Sequence, residues 1–214
     1  MKKIFLILSL TIICFLQVFS CFANDINTDE KPKIERHFVF DTIPLNLEEL
    51  VNAAGKIFSG KCIKVRNIED DPKAKLPVIE YTFKITEIIK GISSDTKEIT
   101  IRQWEPTGKT AGYDAGNKYV VFLYPTNDRG LTSPVALSQG RFDIESSGFI
   151  RRREVVKNSF NNKGLYRNLK TRAKVTIKED KFIDDYLSQC SESGAPMRYG
   201  EFIKAVRYLA ERQQ

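Results

Sequence analysis

The sequence predicts a mainly β fold: a small closed or nearly closed barrel, with a short helix before it and helices at its carboxyl end. Three features support this prediction. Residues 79–86 alternate apolar and polar side chains, residues 119–124 are apolar throughout, and turn signals containing glycine or proline separate such segments. Alternation indicates a strand with one buried face, and an unbroken apolar run indicates a strand covered on both faces. A two-sheet sandwich has the same periodicity and stays open as the alternative.

The first 23 residues have the pattern of a secretory signal peptide. Two lysines open the segment, an apolar stretch follows over residues 4–16, and the small residues Cys21 and Ala23 precede a cut before Asn24. The apolar stretch is shorter than the roughly 20 residues that a membrane span needs. Cys21 also ends a loose match to the bacterial lipobox, in which the cysteine is acylated. We therefore expect a periplasmic protein, with lipid anchoring in the envelope or secretion as alternatives.

A flexible leader and a short helix are predicted to precede the barrel. Residues 24–32 are polar and acidic and have few large apolar groups, so order is expected to begin near Lys33 with a strand up to Phe40. Behind Asn46 as a possible cap, apolar residues recur at helical spacing and predict a helix that ends at Gly55. These residues are Leu47, Leu50, Val51 and Ala54.

Five strands are predicted after this helix. Each combines β-favouring residues with turn signals at its ends. They are residues 57–65, in which Gly60 is expected to mark a bulge; residues 79–85; a strand with Ile99 and Ile101; residues 119–124; and a strand with Phe142 and Ile144.

The chain changes character after a predicted loop at residues 158–162. Residues 170–178 alternate β-branched side chains, and two apolar stripes at helical spacing then predict helices that cover the barrel. The stripes are Phe182, Ile183, Tyr186 and Leu187, then Phe202, Ile203, Val206, Leu209 and Ala210. The predicted organisation is a signal peptide (1–23), a leader (24–32), a barrel domain (33–156) and a helical extension (157–214).

Two cysteines remain after cleavage, and we expect Cys62 and Cys190 to form a disulfide in an oxidising compartment. Closing so long a loop would stabilise the fold by about 4 to 5 kcal/mol in the chain-entropy account. Two unpaired buried thiols are the alternative. Two thiols and the single imidazole of His37 do not make a closed zinc shell, so we expect no metal and no cofactor.

The sequence offers one enzymatic alternative, a hydrolase in which Cys62 or Cys190 is activated by His37. The disulfide would remove either nucleophile, so we predict no catalytic residue. A segment at Gly108 resembles part of a phosphate-binding loop, but Gln103 stands where that motif requires its first glycine.

A basic segment after the predicted barrel is the main candidate for partner binding. It begins with Arg151, Arg152 and Arg153 and continues with aromatic residues among further lysines and arginines. Tyr113, on a loop that could project from the barrel mouth, is a second candidate. The expected partner is an envelope or secreted protein, with a protease as one candidate, or an anionic glycan or lipid; export argues against nucleic acid.

The order of segments over residues 50–144 resembles bacterial proteins related to the netrin module and to the amino-terminal domain of tissue inhibitors of metalloproteases. The matching segments are residues 53–60, residues 81–85 with 89–91, and residues 116–124. The resemblance implies an OB-type barrel in an exported protein. Those inhibitors chelate zinc through an amino-terminal Cys-x-Cys pattern, which Cys21-Phe22-Ala23 lacks. We therefore predict a non-enzymatic envelope module that binds or inhibits a partner, with a lipid-anchored accessory protein as the alternative.

The processing prediction can be tested by the intact mass of the protein purified from a bacterial envelope. Simple cleavage gives a chain that begins at Asn24. An added acyl mass on a chain beginning at Cys21 would instead establish the lipoprotein alternative.

Overall fold

Seven antiparallel strands form one sheet in the computed structural model, which describes residues 43–68, 70–73, 75–105, 112–147, 153–158, 164–165 and 196–212. Their order across the sheet is β3-β2-β1-β4-β5-β6-β7. The strands are β1 (Lys56–Ile68), β2 (Val78–Lys90), β3 (Glu98–Trp104), β4 (Lys118–Leu123), β5 (Arg141–Ser147), β6 (Arg153–Lys157) and β7 (Met197–Arg198). The predicted mainly β class is confirmed.

The sheet is not closed among the described residues, so the predicted barrel is not established. Strand β3 lies at one end of the strand order and β7 at the other. One backbone hydrogen bond reaches the free edge of β3 from the connection after β4, where Thr132 N–H donates to the Arg102 carbonyl at 2.8 Å. The edge of β3 is therefore partly covered by this connection.

Strand β4 carries apolar side chains on both faces, as its unbroken apolar sequence predicted. Tyr119, Val121 and Leu123 point to one face, and Val120 and Phe122 point to the other. We call the first the aromatic face. Its buried side chains are Phe58, Cys62, Tyr81, Phe83, Ile101, Tyr113, Tyr119, Val121 and Leu123. The opposite face is called the helix face, because two helices pack on its apolar part.

The short helix predicted before β1 is present as α1 (Leu47–Ala53). Its capping box joins Asn46 and Glu49: the Glu49 N–H donates to Asn46 Oδ1 at 2.9 Å, and the Asn46 N–H donates to Glu49 Oε2 at 2.7 Å. These bonds satisfy amide groups that a helix start leaves open. Leu47, Leu50 and Val51 are then buried against the helix face.

The carboxyl-terminal helix is also confirmed, as α2 (Tyr199–Glu211). Its apolar stripe joins Phe122 and Phe142 of the sheet, with the Phe142 and Phe202 ring centroids 4.9 Å apart. The buried residues of α2 are Phe202, Ile203, Ala205, Val206, Leu209 and Ala210. No helix within the described ranges is long and apolar enough to cross a membrane.

The predicted strands at β1, β2, β3, β4 and β5 are confirmed, whereas β6 and β7 were not predicted. Strand β6 has one fully buried residue, Val156, and β7 is only two residues long. Such short segments have no readable periodicity. The signal peptide, the leader, the strand up to Phe40, residues 170–178 and the stripe that begins at Phe182 lie outside the described residues.

Gly60 lies at a register shift between β1 and β2, as the predicted bulge required. A Cβ atom added there would come within 2.7 Å of the Lys84 carbonyl oxygen, a backbone atom that cannot move without disturbing the ladder. The missing side chain therefore allows β1 to pair closely with β2 at this point.

We expect Gly60→Ala to lower the free energy of unfolding by about 1 to 3 kcal/mol, because the new methyl group overpacks the strand pair. Gly200→Ala is the matched control, since a Cβ there meets nothing within 4 Å and lies in the first turn of α2. That change should be neutral or stabilise by up to about 1 kcal/mol. Urea unfolding measures both, and equal effects would contradict the close approach at Gly60.

Candidate anion-binding face

Three lysines stand side by side across the middle of the sheet. The register places Lys61 of β1 directly between Lys84 of β2 and Lys118 of β4, so all three project from the helix face. Each of the three is exposed. Directly opposed side chains in antiparallel strands have Cβ atoms about 4.5 to 5.5 Å apart, and like charges at that spacing destabilise the sheet.

Within the described ranges, one of these lysines has a counter-charge. Lys118 Nζ lies 2.7 Å from Glu154 Oε1 of β6. Glu98 is the cross-strand neighbour of Lys84, but neither Lys84 nor Lys61 forms an ion pair with another described residue. Two adjacent ammonium groups therefore have no counter-charge among the residues that the structure describes.

A second charged row crosses the same face. The register sets Glu80 of β2 between Arg66 of β1 and Arg102 of β3. Arg66 Nη2 donates to Glu80 Oε1 at 2.5 Å, and Arg102 Nε donates to Glu80 Oε2 at 2.9 Å. The Glu80 side chain is 8% exposed, whereas the two guanidinium side chains are about half exposed, at 53% and 52%. The row thus presents more positive than negative charge to solvent.

The carboxyl group of Glu80 is held in its charged form by these contacts. The hydrogen bond from Arg102 is the main cause that lowers its pKa, burial works against this, and the hydrogen bond and charge of Arg66 add to the lowering. An ionised Glu80 fixes both arginines in place while leaving part of each guanidinium group accessible.

Between the two rows lie groups that can form further hydrogen bonds. Thr82 and Thr100 are cross-strand neighbours, with hydroxyl oxygens 3.1 Å apart, and Lys64 is opposite Thr82 on the other side. We call the basic residues of this open area the basic strip. It consists of Lys61, Lys64, Arg66, Lys84, Arg102 and Lys118.

A register shift assembles the basic strip, which is why the sequence did not reveal it. Ile63 is an extra residue in β1, because Cys62 pairs with Phe83 while Lys64 pairs with the adjacent Thr82. Strict alternation would have put Lys64 on the face opposite to Lys61. The clue in the sequence was that residues 61–66 alternate basic and apolar side chains except at Cys62 and Ile63, where two apolar residues stand together.

Tyr113, the predicted partner-binding residue on a loop that could project from the barrel mouth, has a buried side chain. Tyr113 is 3% exposed and its ring lies 5.0 Å from the rings of Tyr81 and Phe83 in edge-on contacts. Arg141 lies over the ring at 5.9 Å and donates a hydrogen bond to the Gly112 carbonyl, which holds the loop end against the core. Burial raises the pKa of the Tyr113 hydroxyl, so this group stays neutral.

Of the arginines predicted to bind a partner, only Arg153 lies within the described residues. It is exposed at the start of β6 and borders an open surface depression of about 540 Å³. Arg151 and Arg152 lie outside the described ranges, as does Cys21. The depression is lined by Arg153, Glu154, Arg198, Tyr199, Gly200, Glu201 and Lys204. Glu154 joins this area to the basic strip through Lys118.

The Cys62 thiol is buried on the aromatic face and donates to the Lys64 carbonyl at 3.7 Å. Burial is the main cause that raises its pKa. A buried thiol with a raised pKa is a poor nucleophile. Cys190 lies outside the described residues, so the pairing of Cys62 with Cys190 stays a prediction.

No protein-family model matches the chain, and the search of curated proteins finds no similar sequence.

Glu80→Gln should lower the free energy of unfolding at pH 7 by about 1 to 2 kcal/mol, because it removes charge-assisted hydrogen bonds to two arginines. A pKa lowered by folding adds stability that is present above the unfolded-state pKa, near about 4.3 for glutamate, and is lost as pH falls through the folded-state value. The difference between parent and variant should therefore narrow below about pH 4.

Glu98→Gln is the control for this prediction, since Glu98 lies on the same face without an ion pair to its neighbour Lys84. It should change stability by less than about 0.5 kcal/mol. A destabilisation by Glu80→Gln that does not depend on pH would show that the carboxylate charge is not what the arginines require.

Proposed function

We propose that this protein is an exported, non-enzymatic binding module of the bacterial periplasm that holds an anionic partner on the basic strip. The observation that carries the proposal is the row Lys84, Lys61 and Lys118, in which two adjacent lysines have no counter-charge in the described part of the chain. An anionic ligand supplies the missing charge.

The cost of the lysine row supports a role in binding. Like charges directly opposite in a sheet each destabilise by a few tenths of a kcal/mol to about 1 kcal/mol. A surface that serves solubility alone needs no such arrangement, because lysines can be spaced apart and mixed with acidic residues. Strands also hold the charges at fixed separations, so a ligand meets an ordered array whose repulsion its binding relieves.

The contacts around β1 support the OB-type barrel as part of this proposal. Strand β1 pairs with β2 along 57–68 and with β4 along 56–61, and its register shifts bend the sheet. The hydrogen bond from Thr132 to Arg102 draws the β4 side of the sheet towards β3 around the aromatic face. A partly open Greek-key barrel has this kind of curvature.

Export is the part of the proposal that depends on the amino-terminal pattern, with lipid attachment through Cys21 as its alternative. The inhibitory role implied by the resemblance to metalloprotease inhibitors depends on that same terminus, which lies outside the described residues. The proposal therefore concerns binding by the folded sheet.

The double variant Lys61→Glu with Lys84→Glu tests the site. We expect its affinity for immobilised heparin, used as a general polyanionic probe, to fall about tenfold or more relative to the parent protein, and the parent affinity to fall as salt rises. The matched control is Lys157→Glu with Arg212→Glu, which changes the net charge equally at exposed positions away from the strip. That control should lose less than about threefold.

Equal losses in the two double variants would contradict the proposal, because they would show attraction by net charge without a defined site. A salt-independent affinity would contradict it as well. Thermal unfolding of both variants checks that each protein is folded. Reversing both charges leaves one attractive and two repulsive neighbours in the row from Glu98 to Lys118, as in the parent, so we expect only a small change in stability.

A further inference from the structure

An exposed tryptophan lies at the end of the basic strip. Trp104 is the last residue of β3 and points to the same face as Arg102 and Thr100, because side chains two residues apart share a face. The residue is 43% exposed. Trp104 is also the only tryptophan in the sequence.

The Trp104 indole is held in a fixed orientation by a buried carboxylate. Its Nε1–H donates to Asp71 Oδ2 at 3.2 Å, and Arg129 Nη1 donates to the same oxygen at 3.0 Å. The Lys73 N–H donates to Asp71 Oδ1 at 2.9 Å, so the carboxylate side chain, only 3% exposed, ties three segments of the chain together. Asp71 is therefore a buried anchor in this part of the fold.

This anchoring decides which part of the tryptophan is available to a ligand. The polar N–H is used inside the protein, and the exposed part of the indole is apolar ring. Flat apolar rings stack on the C–H faces of sugars, while anionic groups on neighbouring sugars pair with arginine and lysine. Trp104 lies next to Arg102 on the same strand face, which puts a stacking surface and a cation side by side.

We propose that the ligand of the basic strip is an acidic polysaccharide, in which one sugar stacks on Trp104 and carboxylate or sulfate groups of the following sugars pair with the strip. This inference rests on the proposed function, since it names the ligand class of that same site. It adds Trp104 as the residue that recognises the sugar ring itself.

The dimensions of the face favour a polymer over a single acidic sugar. Along β2, the site runs from Val78, the cross-strand neighbour of Trp104, to Lys84 in the lysine row. Six residues at about 3.3 Å each separate Trp104 from this row by roughly 20 Å. One monosaccharide cannot contact both ends, whereas an extended chain with regularly spaced charges can.

The same features argue against the two other polyanions that a basic face could meet. A tryptophan that anchors a protein at a lipid interface usually keeps its N–H in the wet headgroup region, whereas the Trp104 N–H points to Asp71. Single-stranded nucleic acid also uses stacking and positive charge. Because the chain is predicted to be exported, the polyanion that it meets is an envelope polysaccharide and not nucleic acid.

Fluorescence of the mature protein tests the proposal directly, because any tryptophan signal comes from Trp104. Polygalacturonate is the acidic polysaccharide probe, and neutral dextran of similar length is the control. We expect polygalacturonate to change the emission in a saturable way and to protect the indole from acrylamide quenching, and dextran to do neither. No emission change on saturation with polygalacturonate would overturn the inference.

Substitution of Trp104 gives the second readout, by calorimetric titration with polygalacturonate. Trp104→Leu should weaken binding about tenfold, and Trp104→Phe, which keeps an aromatic face but not the N–H, should weaken it less than about threefold. The unaltered protein already tests stacking by fluorescence, so misfolding of a variant does not remove the test. Equal affinities for the leucine variant and the parent would overturn the role of Trp104.

The lysine variant separates this inference from the proposed function. If Lys61→Glu with Lys84→Glu abolishes binding while Trp104→Leu does not, the basic strip stands and the sugar-stacking inference fails. If neither variant changes the affinity for polygalacturonate, both the proposed function and the sugar-stacking inference fail. Tighter binding and a larger emission change with single-stranded DNA would overturn the polysaccharide assignment in favour of nucleic acid, and the same result with phosphatidylglycerol vesicles would overturn it in favour of a lipid surface.

Discussion

The pairing of β1 on both of its edges is the constraint on which the rest of the structure depends. Residues 57–61 pair with β2 on one side and with β4 on the other, so β1 is an interior strand of the sheet. This double pairing places apolar side chains on two opposite faces, with Ile57 in the core under the helices and Phe58 in the aromatic core. Gly60 makes the close approach to β2 sterically allowed.

Much of the fold could be predicted because burial leaves a period in the sequence. The alternation around Tyr81 and Phe83 correctly predicted a strand with one buried face. The unbroken apolar run at β4 correctly predicted a strand that is buried on both faces. Helix α1 was readable from Asn46 and Glu49, since capping is a local interaction between neighbouring residues. Strand β7 pairs across a long separation in sequence and is only two residues long, so its pairing is a tertiary effect that no local pattern contains.

The candidate site was harder to predict, for two different physical reasons. The basic strip depends on which residues are opposite each other in neighbouring strands, and the bulge at Ile63 determines this for Lys64 and Arg66. The roles of Tyr113 and Asp71 depend on their tertiary environment. Tyr113 follows a glycine-bearing loop, a context typical of an exposed residue, yet it is buried by aromatic packing. Asp71 lies in a polar turn, yet its carboxylate is buried and accepts hydrogen bonds from Trp104 and Arg129. The density of basic residues along the chain pointed instead to the segment with Arg153, because a count along the sequence contains no information on which strands become neighbours.

The extra residue in β1 has a consequence for how such a surface can arise or disappear. The bulge accommodates Ile63, so Lys64 and Arg66 stand on the same side as Lys61. If the strand alternated strictly through Ile63, the next lysine and arginine would turn towards the aromatic interior and apolar side chains would come to the outside. Deletion of Ile63 would remove the bulge and keep both basic residues on the charged face, because Lys64 would then follow Cys62 directly. Gain of a further codon before Lys64, with no second bulge to absorb it, would exchange a charged exterior for an apolar one with no substitution at any charged position. Homologues shorter by this one residue are thus expected to keep the charged face, whereas longer ones need a further bulge to keep it.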